Sequence, residues 1–216
     1  MANEICLQCK QRVKRKDHQF CSKRCTEMAA KKAPQLLRVP KGHVMYNDVK
    51  KHFKRGWKNP SARLPTVTRI YLITWSVKMR SSFEQYRYKL CKKPEGVCRL
   101  CTAIRTGFKY SLQYKRKVVK QVPSTGVRFG GGLYMAPTSS KAYQYAKNQS
   151  KGSKLKAVLM ARVVLGIPER MSRENVTKLK PKQGCDSVET HVGSEPTELV
   201  VYTENAARPA YLLMLK

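Results

Sequence analysis

Cys6, Cys9, Cys21 and Cys25 stand in the pattern C-x2-C-x11-C-x3-C, and this spacing limits the fold more than any other feature of the chain. Two close thiol pairs separated by about a dozen residues match the ligand spacing of tetrahedral Zn2+ held by four thiolates. The segment between them, KQRVKRKDHQF, is polar and basic and has no apolar core of its own. Metal binding supplies the folding free energy that such a segment lacks. Four thiolates leave no open coordination position, so the implied site is structural rather than catalytic. His18 offers an alternative ligand, although a solvated loop position is the simpler reading, and four plain thiols are the alternative to the whole site.

A second cluster, Cys91, Cys98 and Cys101, lies in KLCKKPEGVCRLC. Its C-x2-C end has metal-ligand spacing, and Cys91 is close enough to join. Three ligands do not close a structural site, so Cys185, a distant histidine or a water would have to complete it. Bound zinc and plain thiols both stay open here. The start, MANEICLQCK, has no apolar h-region, and the longest apolar run, AVLMARVVLGI, is short and broken by Arg162. These features predict a protein without a membrane anchor, intracellular, nuclear or cytoplasmic. In that setting eight cysteines read as metal ligands before disulfides.

Charge is distributed unevenly. The chain has 45 Lys+Arg against 13 Asp+Glu, and residues 1–160 hold 37 of the basic and 6 of the acidic residues. A field of that sign attracts polyanions and releases their condensed counterions. It is also what a scattered, solvated lysine surface looks like, because charge alone carries no sequence readout.

Along the chain, TEMAAKKAPQLLRVP predicts a short helix stopped by Pro34 and then an extended link. YNDVKKHFKRGW places Val49, His52, Phe53 and Trp57 at helical spacing, with Asn47 as the cap. TVTRIYLITWSV reads as a strand, SSFEQYRYKL as a helix entered from Ser81 or Ser82, and residues 112–126 as a basic surface connection. KAVLMARVVLG, ELVVY and AYLLMLK are strand candidates, the last two joined by the polar turn TENAARP. The division expected is a cysteine-rich zinc module over 1–33 and a second domain over 34–216.

The segment VRFGGGLYMAPTSSKAYQYA is the most distinctive part of the second domain. A P-loop needs Gly-Lys-Ser/Thr after its spacer, and none is present. A dinucleotide fingerprint needs a third glycine where Met135 stands. What remains is a glycine turn that bends the backbone sharply and delivers Tyr134 among small neighbours.

These residues resemble the phenylalanine-glycine-x-glycine-Ile/Leu-Tyr segment of poly(ADP-ribose) polymerase catalytic domains, where a Ser-Lys-x-x-x-Tyr helix also follows. KAVLMARVVLG resembles that family's central strand, CDSV its x-His/Asp-Ser-Val loop, and ELVVYTENAARPAYLLMLK its glutamate strand and last hairpin. The match runs in order from about Phe129 to Lys216, its best part spanning 127–216. The N-terminal cysteine module, the VP…V…F…W stretch and C-x2-C-x-x-IRT are similar to fungal members. The resemblance implies an α/β (α+β) fold with a split mixed or antiparallel sheet beside a small N-terminal zinc module. It implies an NAD-dependent ADP-ribosyltransferase that moves ADP-ribose to a protein or nucleic-acid acceptor and releases nicotinamide. Residue by residue, Tyr134 and Tyr145 fall on the aromatics that stack on nicotinamide. Gly131 and Gly132 fall in the cofactor-binding turn, and Glu198 falls on the glutamate that bonds the nicotinamide ribose and favours an oxocarbenium-like transition state.

Two departures qualify that implication. Ala142 stands where the family has a serine that bonds the nicotinamide amide. The family's His-Gly-Thr/Ser strand is missing: His18, His43, His52 and His191 are the chain's histidines, and none precedes a glycine. That strand would fall between FEQYRYKL and VCRLC, which are almost adjacent here. Either IYLITWSV or GFKYSLQYK replaces it, or the NAD cleft is incomplete and activity is weak or lost. The other function class is a zinc-stabilised basic protein that binds nucleic acid without sequence specificity and uses the transferase fold as a scaffold.

Overall fold

A computed structural model of the chain describes residues 4–78, 103–104, 107–108, 112–117, 127–147, 152–192 and 197–216. These residues form an α+β fold with two four-stranded sheets and two compact units. Unit 1 comprises Met1–Arg80, Thr138–Met160 and Ala210–Lys216, and unit 2 comprises Ser81–Pro137 and Ala161–Pro209. The helix predicted from Ser81 or Ser82 lies outside the described residues.

In unit 1 the cysteine segment leads into α1 (Lys23–Lys31), whose N-cap Ser22 accepts a hydrogen bond from the Cys25 amide at 3.2 Å. That bond satisfies one of the four amides that a helix start leaves without a partner. The helix ends before Pro34, as predicted. The link after it is more ordered than expected. It forms β1 (Leu36–Val39), which pairs antiparallel with β2 (Val67–Ile73) over its whole length.

Between these strands runs α2 (Val44–Arg55). Val49 and Phe53 are buried as their spacing predicts, while His52 is exposed. The cap is His43 rather than Asn47, because a turn from Pro40 to His43 starts the helix one residue later, at Val44. Nδ1 of His43 accepts from the Met45 amide at 3.1 Å. The ring proton must then sit on Nε2, which donates to the Ile5 carbonyl at 3.0 Å. One buried imidazole thus caps a helix and holds the cysteine segment to it.

β2 also pairs antiparallel with β8 (Ala207–Leu215), placing Ile70 opposite Leu213, and β4 (Lys156–Val163) lies on the far side of β8. Ile70, Leu72, Leu213 and Leu215 are fully buried in one cluster with Phe53, Phe20, Leu7 and Cys6. The apolar part of the cysteine segment is therefore continuous with the core of unit 1.

The serines of TSSKAYQY have a structural use in α3 (Ser139–Tyr145). The Ser139 hydroxyl donates to the Phe53 carbonyl at 2.7 Å, and its amide donates to the Gly56 carbonyl at 2.8 Å. The Lys58 amide donates to the Ser140 hydroxyl at 3.2 Å. The end of α2 leaves carbonyls without intrahelical partners, and the start of α3 supplies the donors.

In unit 2 the strands β3 (Leu133–Met135), β5 (Pro168–Met171), β6 (Ser187–Thr190) and β7 (Leu199–Val201) order as β3-β7-β6-β5. β5 and β6 are parallel and the other pairs antiparallel. β5 was not expected, and CDSV reads as a loop in sequence but enters β6. Alternation along the strands divides this sheet into two apolar faces. Leu133 and Val201 belong to one cluster with Leu112, Ala206 and Ala207. Val188 and Val200 belong to the other, with Phe129, Tyr202 and Tyr134.

Two loop expectations need correction. The turn TENAARP is shorter than read, because a 3-10 turn covers Glu204–Ala206 and β8 begins at Ala207. Residues 112–117 are helical rather than a surface connection, and Leu112 is only 1% exposed. The apolar cluster with Leu133 and Val201 draws that side chain inward. No helix among the described residues is long and apolar enough to cross a membrane.

Leu213→Ala would leave a cavity between β2 and β8 at the centre of unit 1. Urea unfolding should show a loss of about 2–5 kcal/mol, the range for a large-to-small change in a packed core. A loss under about 0.5 kcal/mol, the size of a surface substitution, would place Leu213 outside the core.

Candidate functional site

The glycine turn is built from its own amides. The Gly130 amide donates to the Val127 carbonyl at 2.8 Å, Gly131 to Lys178 at 2.8 Å and Gly132 to Gly130 at 2.9 Å. A phosphate cradle needs such amides free to point at the anion, and here all three are committed within the protein. Two positions require glycine. Gly130 has φ +71°, and a Cβ there would run into the Lys178 backbone. A Cβ on Gly132 would overlap the side chain of Val200 on β7.

Two tyrosines hold Phe129 at the head of the turn. The Phe129 amide donates to the Tyr134 hydroxyl at 2.8 Å, and that hydroxyl donates to the Gly130 carbonyl at 3.0 Å. The Tyr202 hydroxyl donates to the Phe129 carbonyl at 2.6 Å. Burial raises both phenol pKa values well above the ordinary tyrosine range, so both hydroxyls keep the protons they donate. The Tyr134 ring is thus fixed at both ends, by its strand and by its hydroxyl.

Tyr134 sits opposite Val200 in the β3–β7 register. Residues two apart on a strand share a face, so continuing β7 back by two places Glu198 on the face of Tyr134. Its charge also helps to raise the Tyr134 pKa, an effect of nearby like-charged ionisation. Glu198 is 6% exposed. Its amide donates to the Thr190 hydroxyl at 2.9 Å, and its carbonyl accepts from the Thr190 amide at 3.0 Å. Thr190 therefore fixes the backbone of the carboxylate from the neighbouring strand.

A loop between β5 and β6 straps the turn. Asn175 donates its amide to the Arg128 carbonyl at 2.8 Å, and Arg128 pairs with Glu174 at 2.6 Å. Lys178, whose carbonyl receives Gly131, pairs through its ammonium with Glu169 at 3.0 Å, both side chains being 12% exposed. The Lys182 amide donates to the same carboxylate at 2.7 Å. Burial alone would push the Glu169 carboxyl pKa up, but the Lys182 amide and the Lys178 ammonium outweigh it and hold the pKa below the usual carboxylate range.

The structure brings Gly131, Gly132, Tyr134 and Glu198 into unit 2, while Ala142 and Tyr145 belong to α3 of unit 1. Tyr145 is 65% exposed, and Ala142 packs on the core of unit 1. Of the two segments offered as replacements for the His-Gly strand, IYLITWSV contains most of β2, whereas residues 112–115 of GFKYSLQYK are helical. Thr190, Glu169 and Lys178 had no signal in the sequence, because their partners are separated from them by turns and strands.

The sulfur atoms of Cys6, Cys9, Cys21 and Cys25 all lie within 4.8 Å of one another, with Cys9–Cys21 and Cys21–Cys25 both at 3.6 Å. Zinc–sulfur bonds of about 2.3 Å in a tetrahedron separate sulfurs by about 3.8 Å, so the donor set fits zinc. The Gln11 and Arg12 amides lower the Cys9 pKa to about 6, and burial pushes Cys21 up to about 12. Deprotonating all four sulfurs at this spacing would set like charges against one another unless a divalent cation lay among them. His18 is not part of this cluster. Cys91, Cys98 and Cys101 lie outside the described residues, and Cys185 is half-buried in unit 2.

Two expected outcomes follow. Zinc-loaded protein should lose one equivalent of metal on Cys21→Ser, measured by atomic absorption; unchanged stoichiometry would remove the four-thiolate site. The Glu169 carboxyl has a folded pKa below that of a free glutamate (about 4.3). Its stabilising contribution is therefore complete above the free value and is lost as pH falls through the folded one. Denaturant titrations between pH 7 and 3 should show Glu169→Gln weaker than wild type at neutral pH, with the gap closing in acid. A constant gap would disprove the linkage.

With that geometry in view, the comparisons with known proteins are narrow. Residues 115–196 match the family model described as Poly(ADP-ribose) polymerase catalytic domain. The match covers Gly131, Gly132, Tyr134, Ala142 and Tyr145 and stops two residues before Glu198. A search of curated proteins returns no significant match. Over residues 115–196 the chain is therefore similar to poly(ADP-ribose) polymerase catalytic domains.

Proposed function

We propose that this protein transfers ADP-ribose from NAD to a macromolecular acceptor and releases nicotinamide. The observation that carries this reading is the face shared by Tyr134 and the buried Glu198, inside and just beyond the matched segment. Tyr134 is the platform for the nicotinamide ring, presented by a turn that Gly131 and Gly132 allow to pack closely. In the reaction the bond from the ribose C1′ to the nicotinamide nitrogen breaks, and its electron pair leaves with nicotinamide. A nucleophile of the acceptor, a protein or nucleic-acid group, forms the new bond to C1′, and its proton passes to solvent. Glu198 bonds the ribose and stabilises the positive charge that grows on the sugar in a site screened from water.

Orientation supplies much of the rate in such a transfer. Ala142 has no hydroxyl for the nicotinamide amide, and no histidine precedes a glycine. Turnover is accordingly low or lost, and NAD binding is the property to measure first. Calorimetry on the full chain should detect NAD, and labelled NAD incorporated by wild type should fall at least about 100-fold in Glu198→Gln. Wild type that binds no NAD would overturn the reading. Measurable and equal incorporation by both proteins would remove Glu198 from it.

A second reading has an observation of its own. Around the four-cysteine cluster, Lys10, Arg12, Arg15, Lys16, Lys23 and Arg24 are all exposed. This surface suits nucleic acid, held through its phosphates in the manner of a zinc-stabilised basic module, and is compatible with transfer to a nucleic-acid-bound acceptor. Affinity for a duplex should fall steeply between 50 and 200 mM salt, as it does for about 6–10 phosphate contacts. Affinity independent of salt would reject it.

A further inference from the structure

Nζ of Lys115 lies 4.4 Å from the ring centroid of Tyr134, over the ring face. Both partners are anchored. On the Lys115 side, Leu112 is buried with Leu133 and Val201, and Arg116 donates from Nη2 to the Tyr202 carbonyl at 2.8 Å. A Cβ on Gly131 would stand 3.2 Å from the Arg116 Cα, so the glycine turn and this helical stretch are closely packed. On the other side the Tyr134 hydroxyl is held by Phe129 and Gly130. The contact joins two fixed pieces of backbone.

A cation over an aromatic face is attracted by the negative face of the ring quadrupole. The nicotinamide ring of NAD is itself cationic while it is bonded to ribose, and becomes neutral on release. We propose that Lys115 sets the affinity and charge preference of this site, because its ammonium occupies a face of Tyr134 that a cationic nicotinamide ring would use. Binding of the charged ring has to displace a like charge, whereas a neutral ring meets no such repulsion. The site therefore discriminates against its charged ligand more than against the neutral product. This rests on the assignment of Tyr134 as the ring platform.

The test uses calorimetry on the full chain with N1-methylnicotinamide as the cationic probe and nicotinamide as the neutral one. Lys115→Met should tighten the cationic probe by about three- to thirty-fold, the span of a cation–π contact from exposed to desolvated. The neutral probe should change less, and Lys115→Arg should stay near wild type. Tyr134→Ala added to Lys115→Met should abolish the gain. Lys115→Gln gives the same reading should the methionine variant unfold. Equal gains for both probes, or none, would overturn the role of Lys115 and leave Tyr134 as the platform. Binding of neither probe to the charge-removed variants would overturn both assignments.

Discussion

The hydrogen bond from the Gly131 amide to the Lys178 carbonyl, 2.8 Å long, joins the glycine turn to the loop between β5 and β6. It forms only because Gly130 adopts a positive φ and has no side chain to strike the Lys178 backbone. From that point the rest of unit 2 follows in order. The turn aims β3 so that Tyr134 falls opposite Val200, and the alternation of β7 then brings Glu198 to the same face. Two tyrosine hydroxyls close on Phe129, and the ion pair of Lys178 with Glu169 keeps the loop in place. Each contact is ordinary in strength, but they share partners, so they act as a network rather than as a sum.

The cysteine cluster works by a different logic in unit 1. Its sulfurs fit a metal, yet Cys6, Leu7 and Phe20 also share one apolar cluster with α2 and the sheet. His43 adds a hydrogen bond from that core to the Ile5 carbonyl. Metal binding there would therefore be coupled to the packing of α2, because a ligand set organised by the core needs less ordering when an ion binds.

Features written in local spacing were legible in the sequence. The four N-terminal thiols, the helix carrying Val49 and Phe53, the strands around Ile70 and Leu213, and the tyrosine delivered by the glycine turn all have short-range signatures. β5 and β6 were not legible, since PERM and SVET are short and polar and depend on sheet neighbours for their form. The cap of α2 falls on His43 rather than Asn47 because it depends on the preceding turn, which single-residue preference does not capture. The strap of Glu169 and Lys178, the support from Thr190 and the placement of Lys115 over Tyr134 are all tertiary. Residue types alone announce none of them. The roles of Tyr145 and Ala142 came from resemblance, and their places on α3 neither add to nor remove that argument.

β8 has neighbours on both sides, and the strand it pairs with in β2 lies far earlier in the chain, as Ile70 opposite Leu213 shows. During synthesis β2, with its run Ile-Tyr-Leu-Ile, leaves the ribosome long before its partner exists. Pairings of such separation are slow to close, and an apolar strand waiting with a bare edge invites self-association. β1 precedes β2 in the chain and pairs with it from the other side, so a partner for that edge already exists while the chain lengthens. The short edge strand is thus available to guard β2 during biogenesis, a use separate from its part in the final sheet.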